Sequence, residues 1–114
     1  MKLNVYVLRD KLAGISNVIL TANNDEVLKR DIKGVLLSKN QNVINTNTED
    51  KDVFLAAVLD TDTGIIKALD VPVFTLNVEL VRKELIQEIK IKQAEAGLEP
   101  TGEVDVPEGE VAHE

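Results

Sequence analysis

Hydrophobic and polar residues alternate along two stretches near the start of the chain. In residues 2–8 (KLNVYVL), one side holds Leu3, Val5 and Val7, and the other side holds Lys2, Asn4 and Tyr6. This period of two predicts a half-buried strand. NVILTA, residues 17–22, predicts a second strand, and the segment between the two is short enough for a hairpin.

Helical spacing follows the second strand. Asn23 or Asn24 can cap a helix whose first turn carries two acids, and the apolar stripe of this helix is Leu28, Ile32, Val35 and Leu36. The helix is predicted to end near Ser38. Gly34 lowers its stability by about 1 kcal/mol relative to Ala, and a glycine here could allow close packing on a sheet.

Residues 39–52 are polar, rich in Asn and without periodicity, which predicts a loop that could be long and flexible. A second strand pair is predicted over residues 53–59 and 65–69, because both stretches are apolar and rich in β-branched residues. Pro72 is predicted to close that pair, with VFTLNV as a short connecting run.

The sequence between these strands, DTDTG, raises the alternative of a calcium loop. A loop of the EF-hand type needs Gly at its sixth position and a bidentate acid at its twelfth. Counted from Asp60, the fifth residue is Gly64 and the twelfth is Val71, so few oxygen ligands remain. We therefore predict a hairpin turn and no metal site.

A second helix is predicted from Glu79 to Glu95, with the stripe Val78, Val81, Leu85 and Ile89. Two alternatives are open for this stripe: it folds back on the sheet, or it pairs with the same helix of another subunit in a homo-oligomer. The element order predicts an α+β fold, ββαββα, with antiparallel hairpins. We predict one domain over residues 1–96 and a disordered acidic tail over residues 97–114.

The charge distribution changes what the net charge of −7 implies. Residues 1–92 hold 13 basic and 13 acidic side chains, and residues 93–114 hold seven acids and no base. A neutral body can present a local basic face to nucleic acid, whereas a uniformly acidic protein would be repelled by phosphates.

The inventory of chemical groups is poor for catalysis. The sequence has no Cys, its only His is His113 in the tail, and its six glycines are scattered. No Ser-His or Cys-His pair can form, and no phosphate-cradling loop is present, so we expect no enzyme and no cofactor. No segment approaches the ~20 apolar residues that cross a bilayer, so no membrane association is expected.

Three segments carry a resemblance to a known family: MKLNVYVLRDKLAG, ANNDEVLKRDI and DVFLAAVLDTDTGIIKALDVP. In this order and spacing they resemble the small nonstructural protein of gokushovirus-type microviruses, which are tailless phages with circular single-stranded DNA. The resemblance covers about residues 1–73. It implies a proposed DNA-binding role in single-strand synthesis and packaging, and hence a location in the host cytoplasm.

Candidate phosphate contacts are basic residues near the first hairpin and on the first helix: Lys2, Arg9, Lys11, Lys29, Arg30 and Lys33. Each could equally be an ordinary solvated side chain. Tyr6 is the one aromatic expected at the surface, since Phe54 and Phe74 fall in apolar runs that favour the core. The alternative function is a protein-binding or assembly accessory factor that does not contact DNA.

Overall fold

A computed structural model of the chain describes residues 1–97, which fold as four strands and two helices. The strands are β1 (Lys2–Asp10), β2 (Ile15–Ala22), β3 (Lys51–Asp60) and β4 (Ile66–Asn77). The helices are α1 (Asp25–Leu36) and α2 (Val78–Glu95), and a short 3-10 turn, Thr48–Asp50, precedes β3. The predicted ββαββα order is confirmed. Beyond Gly97, the predicted tail lies outside the described residues.

All neighbouring strands of the single sheet are antiparallel, in the order β2-β1-β3-β4. Each helix begins directly after an asparagine that caps it, and Asn24 is one of the two caps predicted for α1. Asn24 Oδ1 accepts a hydrogen bond from the backbone N–H of Val27 at 2.9 Å, and Asn77 Oδ1 accepts one from Leu80 at 3.2 Å. The expected close packing at Gly34 is wrong, because no atom lies within 4 Å of where its Cβ would be.

The prediction that Pro72 closes the second strand pair is also wrong. β4 continues through this proline to Asn77, so VFTLNV is part of the strand. β4 lies at the edge of the sheet, where a missing backbone N–H costs no ladder hydrogen bond. Between Leu55 and Ala57, β3 advances two residues while the paired stretch of β4, Ala68 to Val73, advances five, so the strand bulges around the proline.

Both helices pack on one face of the sheet and form the core there. The sheet contributes Tyr6, Leu8, Val53 and Leu76, and the helices contribute Leu28, Ile32, Leu36, Val78, Val81 and Leu85. The α2 stripe therefore folds back on the sheet, with Ile89 packed against the same core. In the folded chain these side chains are not a surface through which another subunit could pair.

The Asn-rich segment after α1 is a compact, hydrogen-bonded loop, contrary to the expectation of flexibility. Asn42 and Asn45 bond to each other in both directions, since each side-chain oxygen accepts the other's backbone N–H at 2.9–3.0 Å. The buried ammonium of Lys51 donates to the carbonyls of Val43 and Thr46 at 2.8 and 2.7 Å. The loop's own polar groups therefore take the place of water.

Candidate nucleic-acid interface

The acidic segment between β3 and β4 is a turn, as predicted. The Asp60 carboxylate accepts the backbone N–H of Asp62 at 2.9 Å, and Gly64 has the positive φ of 78° that the turn requires. The Asp62 carboxylate binds the N-terminal ammonium at 2.8 Å. Both aspartates thus have structural partners, and within residues 1–97 no three His, Cys, Asp or Glu residues cluster as a metal site would need.

Two of the predicted phosphate contacts, Lys29 and Lys33, face α2. Lys33 Nζ lies 2.8 Å from carboxylate oxygens of both Glu84 and Glu88, and Lys29 Nζ lies 3.4 Å from Glu84. Partial burial alone would lower the pKa of Lys33, but its hydrogen bonds to the two glutamates raise that pKa above its ordinary value. The hydrogen bond from Lys33 in turn lowers the pKa of Glu84. These lysines form ion pairs between the two helices, and their charge is largely compensated.

The other four predicted contacts also lie beside polar groups. Lys2 is 4.0 Å from Asp60, Lys11 is 3.5 Å from Asp52, and Arg30 is 4.0 Å from its neighbour Asp31. Arg9 donates to the Ser16 hydroxyl at 3.4 Å and to the carbonyl of Gly14 at 3.2 Å. The six residues do not form one basic face: Lys29, Arg30 and Lys33 lie on α1, and the others lie at the two ends of the sheet.

The face of the sheet opposite the helices is uncovered and apolar. Because directly paired residues of a ladder share a face, Ile19, Val7 and Phe54 form a row across β2, β1 and β3, and Phe74 of the edge strand extends it through its pairing with Phe54. A register shift in β4 separates Phe74 from Leu76, and Phe74 also lines a groove with Lys29 and Leu80 of the helices. A second row on the same face pairs Leu3, Leu59 and Ile66. We call this surface, defined by the two rows, the open face.

The aromatic residues occupy the reverse of the predicted positions. Tyr6 is fully buried under the helices, where its hydroxyl donates to Asp25 at 2.7 Å and accepts from Asn4 at 3.0 Å. Burial and the Asp25 hydrogen bond raise the pKa of Tyr6 to about 12. Phe74 is instead 54% exposed, and its ring meets that of Phe54 edge to face, with centroids 5.8 Å apart.

The aromatic pair has cations at one end of the same face. Arg9 lies two residues beyond Val7 along β1, so strand alternation places it on the open face. Arg9 is the register partner of Asp52 on β3, and the Asp52 carboxylate forms an ion pair with Lys11. The open face therefore combines aromatic rings with Arg9, Lys11 and the carboxylate of Asp52 at its end.

Sequence reasoning missed Phe54 and Phe74 because an apolar run in a strand does not reveal which side the helices cover. It also missed Lys67, an exposed β4 residue that lines a groove of about 630 Å³ with Lys2, Val58 and Ile65. Within residues 1–97, Lys67 makes no ion pair. Lys67 is the charged residue of the otherwise apolar run IIKAL, which would have marked it as an exposed strand position.

Comparison with protein families gives one match. The family model described as Phage ORF5 protein matches residues 3–81, which is more than half of the chain and ends within the first turn of α2. Comparison with curated proteins finds no match, and comparison with solved structures finds none either. Within residues 1–97, no helix is long and apolar enough to cross a membrane. On the family match, the chain belongs to the Phage ORF5 protein family.

Proposed function

We propose that this phage protein is a nonstructural protein of the gokushovirus type that binds single-stranded DNA without catalysis, in the host cytoplasm, during genome synthesis or packaging. Membership of the Phage ORF5 family supports a phage role. The resemblance of residues 1–73 supports the gokushovirus type and the DNA ligand. The observation that carries the proposal is the Phe54–Phe74 pair on the open face, in which Phe74 is exposed and Phe54 is half-buried.

A sheet with helices on one face and aromatic rings on the other is a surface to which unpaired bases can bind. Bases stack on such rings irrespective of sequence, and each stacked base contributes about 1 to 3 kcal/mol. Arg9 and Lys11, at the end of the same face, would contact phosphates. Lys29 and Lys33 would have to leave Glu84 and Glu88 to do so, so we assign them a smaller contribution than the sequence suggested.

Titration of a fluorescent oligothymidine with the full chain tests this proposal. Phe74→Leu keeps an apolar side chain but removes the stacking surface, so affinity should fall by about fivefold or more. Ile91→Ala is the matched control, since Ile91 is 51% exposed in the last two turns of α2, away from the groove that Phe74 lines, and its loss should leave affinity unchanged. Equal affinity of Phe74→Leu and the parent chain would contradict stacking on this face.

The second candidate function is that of an assembly factor that binds another protein through the open face. The observation that favours it is the rest of the first row, where Ile19 and Val7 are aliphatic and carry no charge. Phe74→Leu would leave such an interface largely intact. A chain that binds no oligothymidine even at low salt would favour this second function.

A further inference from the structure

The two edges of the sheet differ in how they are protected against pairing with another strand. β4 carries Pro72, the charged residues Lys67 and Asp70, and the bulge between Ala68 and Val73. Proline, charge and bulges at an edge all hinder the addition of a further strand. The β4 edge is therefore closed to pairing.

β2, the strand at the other edge, has neither proline nor charge to protect it. Its sequence, ISNVILTA, contains no proline, no glycine and no charged residue. Its one irregularity in pairing lies near its start, between Ser16 and Val18, and the stretch from Val18 to Ala22 is in regular register with β1. An uncovered strand of this kind presents a row of backbone N–H and C=O groups to a partner.

The absence of charged residues from β2 indicates that a second copy of this strand can pair with it. In a pair of identical antiparallel strands related by a twofold axis, every side chain is repeated, so a lysine or an aspartate would meet its own copy close by. β2 has no such residue to repel a copy of itself. A second copy would also cover Val18 and Leu20, which are only half-buried, and Leu20 lines a groove of about 110 Å³ beside α1.

We propose that two copies of this chain pair through their β2 edges, antiparallel about a twofold axis, and form one continuous eight-stranded sheet. This replaces the α2 stripe as the means of self-association. The two open faces would then lie side by side, with the Ile19 side chains near the axis and the phenylalanine pairs toward the two outer ends. The pairing does not depend on whether the open face binds DNA.

The natural absence of cysteine allows a direct test by disulfide crosslinking of the full chain. Single cysteines are placed in turn at three exposed β2 positions, Asn17→Cys, Ile19→Cys and Thr21→Cys. Val71→Cys, at a 70% exposed position of β4, and Phe74→Cys, on the open face, are the controls. Directly opposed residues of an antiparallel pair lie about 4.5–5.5 Å apart at Cα, a separation that a disulfide can bridge.

At micromolar protein under mild oxidation, we expect one β2 position to form the disulfide dimer about tenfold or more faster than the cysteine at position 71, because pairing raises the local thiol concentration. Sedimentation of the unmodified chain should show a dimer, and circular dichroism checks that each variant is folded. Three β2 cysteines that react no faster than the one at position 71 would overturn the proposal. Fastest crosslinking at position 74 would also overturn it, since the open faces would then be packed together.

Discussion

The two faces of the sheet differ in burial and in how their polar groups are bonded. On the helix-covered face, buried polar groups have partners: Tyr6 bonds to Asp25, and the Thr48 hydroxyl donates to Glu79, which also pairs with Arg82. On the open face, apolar side chains such as Ile19 and Ile66 lie in water without a covering element. The covered face holds the core, and the open face is the surface on which the proposed function rests.

The largest expected effect is on stability, and it tests the difference in burial. Leu36 is fully buried, so Leu36→Ala should lower the free energy of unfolding by about 2–5 kcal/mol. Ile19 is 68% exposed, and Ile19→Ala should cost well under about 1 kcal/mol. Urea denaturation of both variants measures the contrast, and similar losses would mean that the open face is covered in solution.

A smaller effect comes from the buried hydroxyl of Tyr6. Tyr6→Phe leaves Asp25 and Asn4 without this partner and should destabilise the fold by about 1–2 kcal/mol. The pKa of Tyr6 is raised from 10.0 to about 12, so its stabilisation is fully present below pH 10 and is lost as pH rises toward 12. Urea midpoints between pH 8 and 12 should therefore fall less steeply in Tyr6→Phe than in the parent chain. Parallel curves would contradict this burial.

The ion pairs between the helices should matter little for stability and little for DNA on the open face. Glu84→Gln with Glu88→Gln removes the partners of Lys33, at a cost of up to about 1 kcal/mol because the pairs are partly exposed. The freed lysines lie on the helix side of the sheet, so oligothymidine binding should tighten only slightly, through the loss of two negative charges. A large gain in affinity and in salt dependence would place the DNA on the helix side.

The salt dependence can be divided between the two groups of cations. Arg9→Gln with Lys11→Gln should reduce the slope of log affinity against log salt by about 0.7 per lost phosphate contact. Lys29→Gln with Lys33→Gln should reduce it less, because those side chains already have carboxylate partners. The reverse order would place the DNA on the helix side.

The smallest effect should come from calcium. Because Asp60 and Asp62 are already used by the turn and the N-terminus, millimolar calcium or a chelator should leave the melting temperature unchanged. A rise of several degrees with calcium would reveal a bound ion that the turn geometry does not predict.

The contrast between the faces also explains how far sequence could predict this protein. Period-two and helical spacing, the caps at Asn24 and Asn77, and the glycine turn specify local structure, and these determined the element order. They do not state which side of a strand the helices cover. Both sides of β1 carry enough apolar residues to be buried. Tyr6 lies on the side that the helices cover, because its hydroxyl bonds to Asn4 and to Asp25, which lies 19 positions away in the sequence.

The carboxylate partners of the predicted basic site were hidden from the sequence for a similar reason. Lys29 and Lys33 form a cluster along α1, but Glu84 and Glu88 come from α2, 51 to 55 positions away, and only the folded chain brings the two groups together. Pro72 misled in the same way, since its effect on a strand depends on whether that strand lies at an edge.

The central claim, that single-stranded DNA contacts the open face, is tested most directly by fluorescence, because the chain has no tryptophan of its own. Phe74→Trp places a single reporter on the open face, and Ile91→Trp places one on the exposed side of α2. Saturating oligothymidine should quench the tryptophan at position 74 through base stacking and leave the one at position 91 nearly unchanged. DNA binding that quenches only the tryptophan at position 91, or no binding at low salt, would contradict the account.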